Sequence, residues 1–100
     1  MTKIELFEKL NVNRFCKENN IKYLGLFGSY ARDEQKNNSD VDFLFEVDNN
    51  TKVTLFGIGK MIYTLQKELG IDVDFVDRDN LRSEFKQSIL NDLVTLYEQR

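Results

Sequence analysis

Histidine is absent from the 100-residue chain, and cysteine occurs only once, as Cys16. The lack of histidine excludes zinc sites with histidine ligands, Ser-His-Asp triads and any histidine general base. A single cysteine excludes a disulfide within the chain, and the simplest role of Cys16 is that of a small buried hydrophobic residue. If the chain is an enzyme, its acid–base chemistry must use other groups.

Long apolar runs and an excess of positive charge are also missing. No stretch approaches the roughly 20 apolar residues that cross a membrane, and the N-terminus lacks the pattern of a signal peptide, so we expect a cytoplasmic protein without membrane contact. The 14 Lys and Arg against 17 Asp and Glu give a net charge of −3. Because non-specific nucleic-acid affinity comes mainly from Lys and Arg, we expect no direct nucleic-acid binding. The acidic balance fits a metal site or a basic protein partner.

The length and apolar content of the chain predict a single domain covering residues 1–100. Local patterns predict a small mixed β-sheet flanked by helices, an α/β fold of the α+β type. The predicted segments, in chain order, are a helix capped by Thr2, a helix over 14–19, a strand over 21–27, a helical turn over 29–33, a strand over 40–47, a helix over 53–69, a strand over 71–76, a helix over 81–91 capped by Asp79 or Asn80, and a segment over 93–97 that extends this helix or forms a short strand.

Apolar residues at helical spacing predict which helix faces are buried. In the helix over 53–69 the predicted stripe consists of Val53, Phe56, Met61, Leu65 and Leu69. In the helix over 81–91 the inward residues are predicted to be Leu81, Phe85, Ile89 and Leu90. Near the N-terminus we expect the following residues to face the core or a partner protein: Ile4, Phe7, Leu10 and Phe15.

Two carboxylates alternate at the start of the predicted strand over 40–47. Asp40 and Asp42 share one face of that strand, about 6.6 Å apart along it, while the apolar residues between and after them face the core. Two adjacent carboxylates repel each other, and divalent cations would reverse that balance. Carboxylate oxygens suit Mg²⁺ or Mn²⁺, and two-metal sites hold their ions roughly 3.5–4 Å apart, within reach of such a pair.

The order of the segments predicts where these carboxylates meet others. A strand–helix–strand crossover is right-handed and usually places its two strands in parallel, which brings Asp74 or Asp72 beside Asp40 and Asp42. An antiparallel pairing of the strand over 21–27 would bring its C-terminal end to the same corner. Carboxylates from two strands and a glycine–serine turn are therefore expected to converge.

The glycine–serine turn that follows the first strand suits a phosphate group. Glycine at position 28 lets a phosphate approach the backbone closely, and backbone N–H groups and the Ser29 hydroxyl can donate hydrogen bonds to its oxygens. Arg32 lies one turn further on and could add positive charge. Gly28, Ser29 and Arg32 are therefore the predicted phosphate-binding residues.

At this point the sequence resembles the minimal nucleotidyltransferases of the DNA polymerase β-like superfamily. The matching text is GSYARDEQKNNSDVDFLFE, with VDFV downstream, and the resemblance covers nearly the whole chain. The family pattern usually has glycine after Ala-Arg, where this chain has Asp33. The resemblance implies a polymerase β-like core that transfers a nucleoside monophosphate from an NTP with two Mg²⁺ ions.

Roles for the site residues follow from this resemblance. Gly28 and Ser29 would hold the terminal phosphates, and Asp40 and Asp42 would bind both ions. The third metal ligand is assigned to Asp74, because the VDFV strand matches the family, with Asp72 as the alternative. Many stand-alone members are antitoxins of HEPN-domain ribonuclease toxins, which implies transfer of AMP from ATP to a toxin tyrosine.

Two other functions stay open at this stage. The acceptor could instead be a small molecule such as an aminoglycoside, or an RNA end, although such enzymes generally use extra domains to hold the acceptor. The chain could also be a non-catalytic antitoxin that neutralises its toxin by occlusion alone. The complete carboxylate set favours catalysis.

Overall fold

Five helices and four strands make up residues 1–99, which the computed structural model describes. Their order is α1 (Lys3–Lys9), α2 (Val12–Glu18), β1 (Ile21–Phe27), α3 (Gly28–Ala31), β2 (Val41–Val47), α4 (Leu55–Leu69), β3 (Val73–Asp77), a 3-10 turn (Arg78–Asn80), α5 (Ser83–Asp92) and β4 (Val94–Glu98). None of the helices in this part of the chain is long and apolar enough to cross a membrane.

The four strands form one mixed sheet in the order β3-β2-β1-β4. β1 is antiparallel to both β2 and β4, and β2 is parallel to β3 across the α4 crossover. The predicted antiparallel and parallel pairings are thus confirmed, as is the mixed α/β fold class. The last segment, for which helix and strand were both open, forms an edge strand.

Side-chain caps set the starts of three helices. Thr2 and Glu5 form the predicted capping box of α1, and Asn11 accepts a hydrogen bond from the backbone of Arg14, so α2 begins two residues before its predicted start. Thr54 caps α4 in the same way, which places the start of that helix at Leu55 instead of residue 53.

The predicted cap of the C-terminal helix was wrong. Asp77 accepts a hydrogen bond from the backbone of Asp79 and starts the 3-10 turn, which includes both predicted cap residues. The helix α5 therefore begins two residues later than expected, at Ser83, and its N-cap residue, Arg82, makes no side-chain cap hydrogen bond.

The core lies on one face of the sheet, beneath the helices α1, α2 and α4. Leu24 and Leu26 of β1 are fully buried there, beside Phe43 and Phe45 of the neighbouring strand. Phe45 stacks on Phe75 of β3 with ring centroids 4.1 Å apart. The helices contribute buried residues to the same cluster, including Leu6, Leu10, Phe15, Cys16, Met61, Leu65 and Leu69. The prediction that Cys16 is buried is confirmed.

Besides Phe7, which is 39% exposed, three residues predicted to be core or partner-facing are exposed. Phe56 is 84% exposed because it lies outside the buried row of α4. That row runs through Met61, Leu65 and Leu69, and four residues before Met61 it reaches Gly57. Phe56 precedes this glycine by one residue and so lies about 100° away around the helix. Ile4 is 69% exposed because α1 turns Leu6, with Leu10 four residues later, toward the core. The third is Phe85 of α5, at 54%. Its exposure arises at the cleft described below.

Candidate active site

Three strand ends meet at one corner of the sheet. Asp42 of β2 lies opposite Asp74 of β3 in the parallel pair, and opposite Phe27, the last residue of β1, in the antiparallel pair. The turn that begins at Gly28 therefore follows directly beside the Asp42 carboxyl group. Alternation along the strands places these carboxylates on the face of the sheet opposite the core.

Gly28 lies directly against the carboxyl group of Asp42. Its φ of +76° lies in the left-handed region, and a Cβ built on it would overlap the Oδ2 atom of Asp42. Only glycine fits this position without displacing the carboxyl group. The backbone of the glycine–serine turn is thus held against Asp42, as the sequence predicted.

The electrostatic environment of Asp42 reflects its acidic neighbours. Burial raises the pKa of Asp42 to about 6, and hydrogen bonding to Asp74 together with the negative charges of Asp74 and Asp40 contributes to the rise. The positive charge of Arg32 acts in the opposite direction. Asp74 and Asp40 are therefore both close enough to influence Asp42.

The alternative third carboxylate, Asp72, has a different position. It precedes β3, which begins at Val73, and its Oδ1 atom lies 3.4 Å from the side-chain amide nitrogen of Gln66 on α4. Its backbone carbonyl accepts a hydrogen bond from the Val41 amide. The structure thus brings Asp74, and not Asp72, next to Asp42 across the two parallel strands.

The donor set at this corner fits a divalent cation in chemistry and in charge. Carboxylate oxygens are the ligands that Mg²⁺ and Mn²⁺ prefer, and the repulsion that raises the pKa of Asp42 is what a cation would relieve. Within residues 1–99, no three acidic or cysteine side chains lie close enough together to form a complete metal site. Asp42 and Asp74 are paired in register, whereas Asp40 precedes β2 and is exposed.

The guanidinium group of Arg32 is engaged by two carboxylates. Its Nε donates to Glu34 at 2.7 Å, and its Nη1 donates to Asp92 at the end of α5. These hydrogen bonds raise the pKa of Arg32, with the bond to Glu34 as the larger cause. Arg32 therefore links the end of α3 to α5 across the corner that holds Asp42.

A cleft of about 570 Å³ opens between the acidic corner and α5. Ligand sites typically enclose 300–1,000 Å³, so the cleft suits a ligand of nucleotide size. Its lining combines the two carboxylates with a mainly apolar wall: Phe27, Asp42, Asp74, Phe75, Val76, Asn80, Leu81, Arg82, Phe85, Ser88 and Ile89. Phe85 is exposed because α5 is separated from the sheet by this open space, which Phe85 lines.

Sequence reasoning missed the wall of this cleft. It assigned Leu81, Phe85 and Ile89 to packing and did not single out Arg82. One signal was present: Val76 follows Asp74 by two residues and so shares its sheet face, which makes the acidic face partly apolar.

The fold is that of a minimal nucleotidyltransferase. A solved structure of a candidate minimal nucleotidyltransferase superposes with a TM-score of 0.80 and 26% identity, covering 96% of this chain and 97% of that one. A Shewanella oneidensis complex of a tri-AMPylated HEPN toxin with an MNT antitoxin shares the fold, with a TM-score of 0.72, 17% identity and coverage of 98% of this chain and 74% of the matched one.

The sequence comparison gives the family. The pattern of the nucleotidyltransferase domain family matches residues 10–96. A protein of Methanocaldococcus jannaschii that is named as a candidate protein adenylyltransferase is 37% identical over 75 residues, which is 74% of this chain and 75% of that protein. The chain belongs to the nucleotidyltransferase domain family.

Proposed function

We propose that this protein transfers AMP from ATP to a tyrosine hydroxyl of a partner toxin of the HEPN type, and that it acts as the antitoxin of that pair. The observation that carries the proposal is the pairing of Asp42 with Asp74 at the mouth of a nucleotide-sized cleft. The relative named as a protein adenylyltransferase and the likeness of fold to an MNT antitoxin support AMP as the group and a toxin as the partner.

In this proposal the carboxylates hold two Mg²⁺ ions. Asp40 and Asp42 would be ligands of both ions, and Asp74 would be a ligand of the ion that activates the acceptor hydroxyl. When bound, the ions supply positive charge that stabilises the transferring phosphoryl group and lowers the pKa of an acceptor hydroxyl. Asp74 orients that hydroxyl and takes part in its deprotonation.

The reaction is a displacement at the α-phosphorus of ATP. The acceptor oxygen forms a bond to the α-phosphorus, the bond to the pyrophosphate oxygen breaks, and the hydroxyl proton passes to a carboxylate or water. A tyrosine with a pKa of about 10 is roughly one-thousandth ionised at pH 7, so deprotonation needs assistance. Because the chain has no histidine, carboxylates at the metal site are its available bases.

The turn at Gly28 and Ser29 is assigned to the terminal phosphates of ATP. Gly28 has no side chain between its backbone and the cleft, and the Ser29 hydroxyl is a hydrogen-bond donor without a role in the core. The predicted nucleotide contact of Arg32 stays a prediction, because its guanidinium group is bonded to Glu34 and Asp92.

The remaining expectations also stay proposals. We propose that residues 1–100 act as one catalytic domain in the cytoplasm, where ATP is available, without direct contact to nucleic acid. The acidic net charge of −3 supports the last point and suits a basic partner.

Label transfer tests the proposed function directly. The protein is incubated with α-labelled ATP, Mg²⁺ and a HEPN-type toxin encoded beside it. We expect label to appear on the toxin, to depend on Mg²⁺, and to disappear when the toxin tyrosine is replaced by phenylalanine. Label on an added RNA or small molecule, with none on the toxin, would assign a different acceptor. No label on any acceptor would contradict the enzymatic proposal.

A further inference from the structure

Arg82 is the cationic residue that borders the acidic cleft. It lies directly before α5 and lines the same cavity as Asp42 and Asp74, on the wall that faces them. Among the cleft-lining residues within 1–99, it is the one with a positive charge. The neighbouring cation on α5, Lys86, lines a separate cavity of about 380 Å³ beside Glu46 and Arg78.

The charge of a nucleotide makes this position informative. A triphosphate carries several negative charges, and two carboxylates that face it without a cation would repel it. Metal ions at the carboxylates would offset part of that charge at one wall of the cleft. A guanidinium group on the other wall can bind a phosphate through two parallel hydrogen bonds.

Arg82 differs from Arg32 in its freedom to bind a ligand. Arg32 is held by two carboxylates, one of them at 2.7 Å. The Arg82 side chain is 77% exposed, and its contact with Glu84 is 3.9 Å long, which is beyond hydrogen-bond distance. Turning the Arg82 guanidinium group toward a phosphate therefore breaks no side-chain hydrogen bond within residues 1–99, whereas the same movement of Arg32 breaks two.

We infer that Arg82 is a further substrate-binding residue, which binds the phosphates of ATP from the α5 wall of the cleft. The inference rests on the proposed function in that ATP is taken as the substrate. It assigns to the segment before α5 a role in nucleotide affinity that the glycine–serine turn and the carboxylates do not supply.

Calorimetric titration of the whole protein with Mg²⁺-ATP, in the absence of any toxin, tests this inference. We expect Arg82→Ala to weaken binding about tenfold, since a charge-assisted hydrogen bond is lost at a partly exposed site. Arg82→Lys keeps the positive charge but cannot form two parallel hydrogen bonds, so its affinity should lie between those of the parent and Arg82→Ala. Lys86→Ala is the matched control: it removes one positive charge from α5, four residues after Arg82, and should bind like the parent.

Four results would overturn the inference. Arg82→Ala binding within twofold of the parent would show that Arg82 makes no contact with the nucleotide. Equal weakening by Lys86→Ala would show a general charge effect, and a lowered melting temperature of ligand-free Arg82→Ala would indicate a structural role. A parent that binds no Mg²⁺-ATP overturns both this inference and the proposed function. A parent that binds it but modifies no toxin refutes only the proposed function.

Discussion

Asp42 of β2 stands directly opposite Asp74 of β3 in the parallel register, and this pairing raises the pKa of Asp42 beyond the effect of burial alone. Two acidic side chains on adjacent strands cannot both ionise without mutual repulsion. The corner of the sheet is therefore less stable by itself than with a bound cation, and this links the fold of the protein to its ligands.

The raised pKa of Asp42 predicts how stability depends on pH. The folded state holds the Asp42 proton up to about pH 6, whereas the unfolded chain releases it near the ordinary value of 3.8. The stabilising contribution of the protonated group is therefore complete below about pH 4 and is lost as the pH rises through 6. Because Asp42 is only partly buried, we expect its ionisation to lower the free energy of unfolding by about 1–2 kcal/mol.

The variant Asp42→Asn tests whether ionisation of Asp42 destabilises the folded protein. In buffer with a metal chelator, its free energy of unfolding should exceed that of the parent by about 1–2 kcal/mol at pH 8 and show little gain at pH 4. Urea denaturation at both pH values measures the difference. An asparagine variant that is less stable than the parent at pH 8 would contradict the assigned repulsion.

Ligand binding should relieve the same repulsion. Because Mg²⁺-ATP binds only the folded state, a concentration ten times its dissociation constant stabilises by about 1.4 kcal/mol, which raises the melting temperature of a chain this size by about 5–10 °C. The variant Asp40→Ala/Asp42→Ala, measured at the same ligand concentration, is the control and should not shift. An equal shift in parent and variant would place the nucleotide elsewhere.

Substitutions of the two carboxylates Asp72 and Asp74 should differ in their effect on transfer activity. Asp74→Asn is expected to lower transfer at least 100-fold with the fold intact, because it removes the negative charge of one member of the Asp42–Asp74 pair, which is proposed to hold the metal ions. Asp72→Asn, beside Gln66, should retain most of the activity. Rates of label transfer measured on both variants decide this, and the reverse order would move the third ligand to Asp72.

Gly28 offers a test of the close approach between turn and carboxylate. Gly28→Ala introduces left-handed strain of about 1–2 kcal/mol and a Cβ that overlaps the Asp42 carboxyl group, so it should lower both stability and transfer. Gly70→Ala carries similar strain, with φ at +74°, but its Cβ meets no atom within 4 Å. The control should therefore lose stability alone. Equal transfer rates in the two variants would show that the overlap at Asp42 has no effect on catalysis.

Local sequence signals predicted much of this architecture. Alternation placed Asp40 and Asp42 on one strand face, and the crossover rule placed Asp74 or Asp72 beside them, because both depend only on strand geometry. The choice of Asp74 came from the family resemblance of the VDFV strand. The capping box at Thr2 was also predictable, because its two residues, Thr2 and Glu5, are only three positions apart in the sequence. These features are set by residues close in sequence or by the handedness of the chain.

Features that depend on distant packing were not predictable. The bond between Arg32 and Asp92 joins residues 60 positions apart, so the sequence around Arg32, which includes its other partner Glu34, gave no sign of this second carboxylate. Phe85 has the spacing of a core residue, and only the separation between α5 and the sheet turns it into a wall of the cleft. Periodicity identifies an apolar face but not what lies opposite it.

The intact mass of the partner toxin, purified from cells that co-express it with this protein, tests the central proposal most directly. With the parent we expect a toxin heavier by one or more AMP units, and cells that grow. With Asp40→Ala/Asp42→Ala we expect an unmodified toxin and arrested growth, although the two proteins still co-purify. A double variant that protects the cells as well as the parent while the toxin stays unmodified would contradict the account, because protection would then come from occlusion alone.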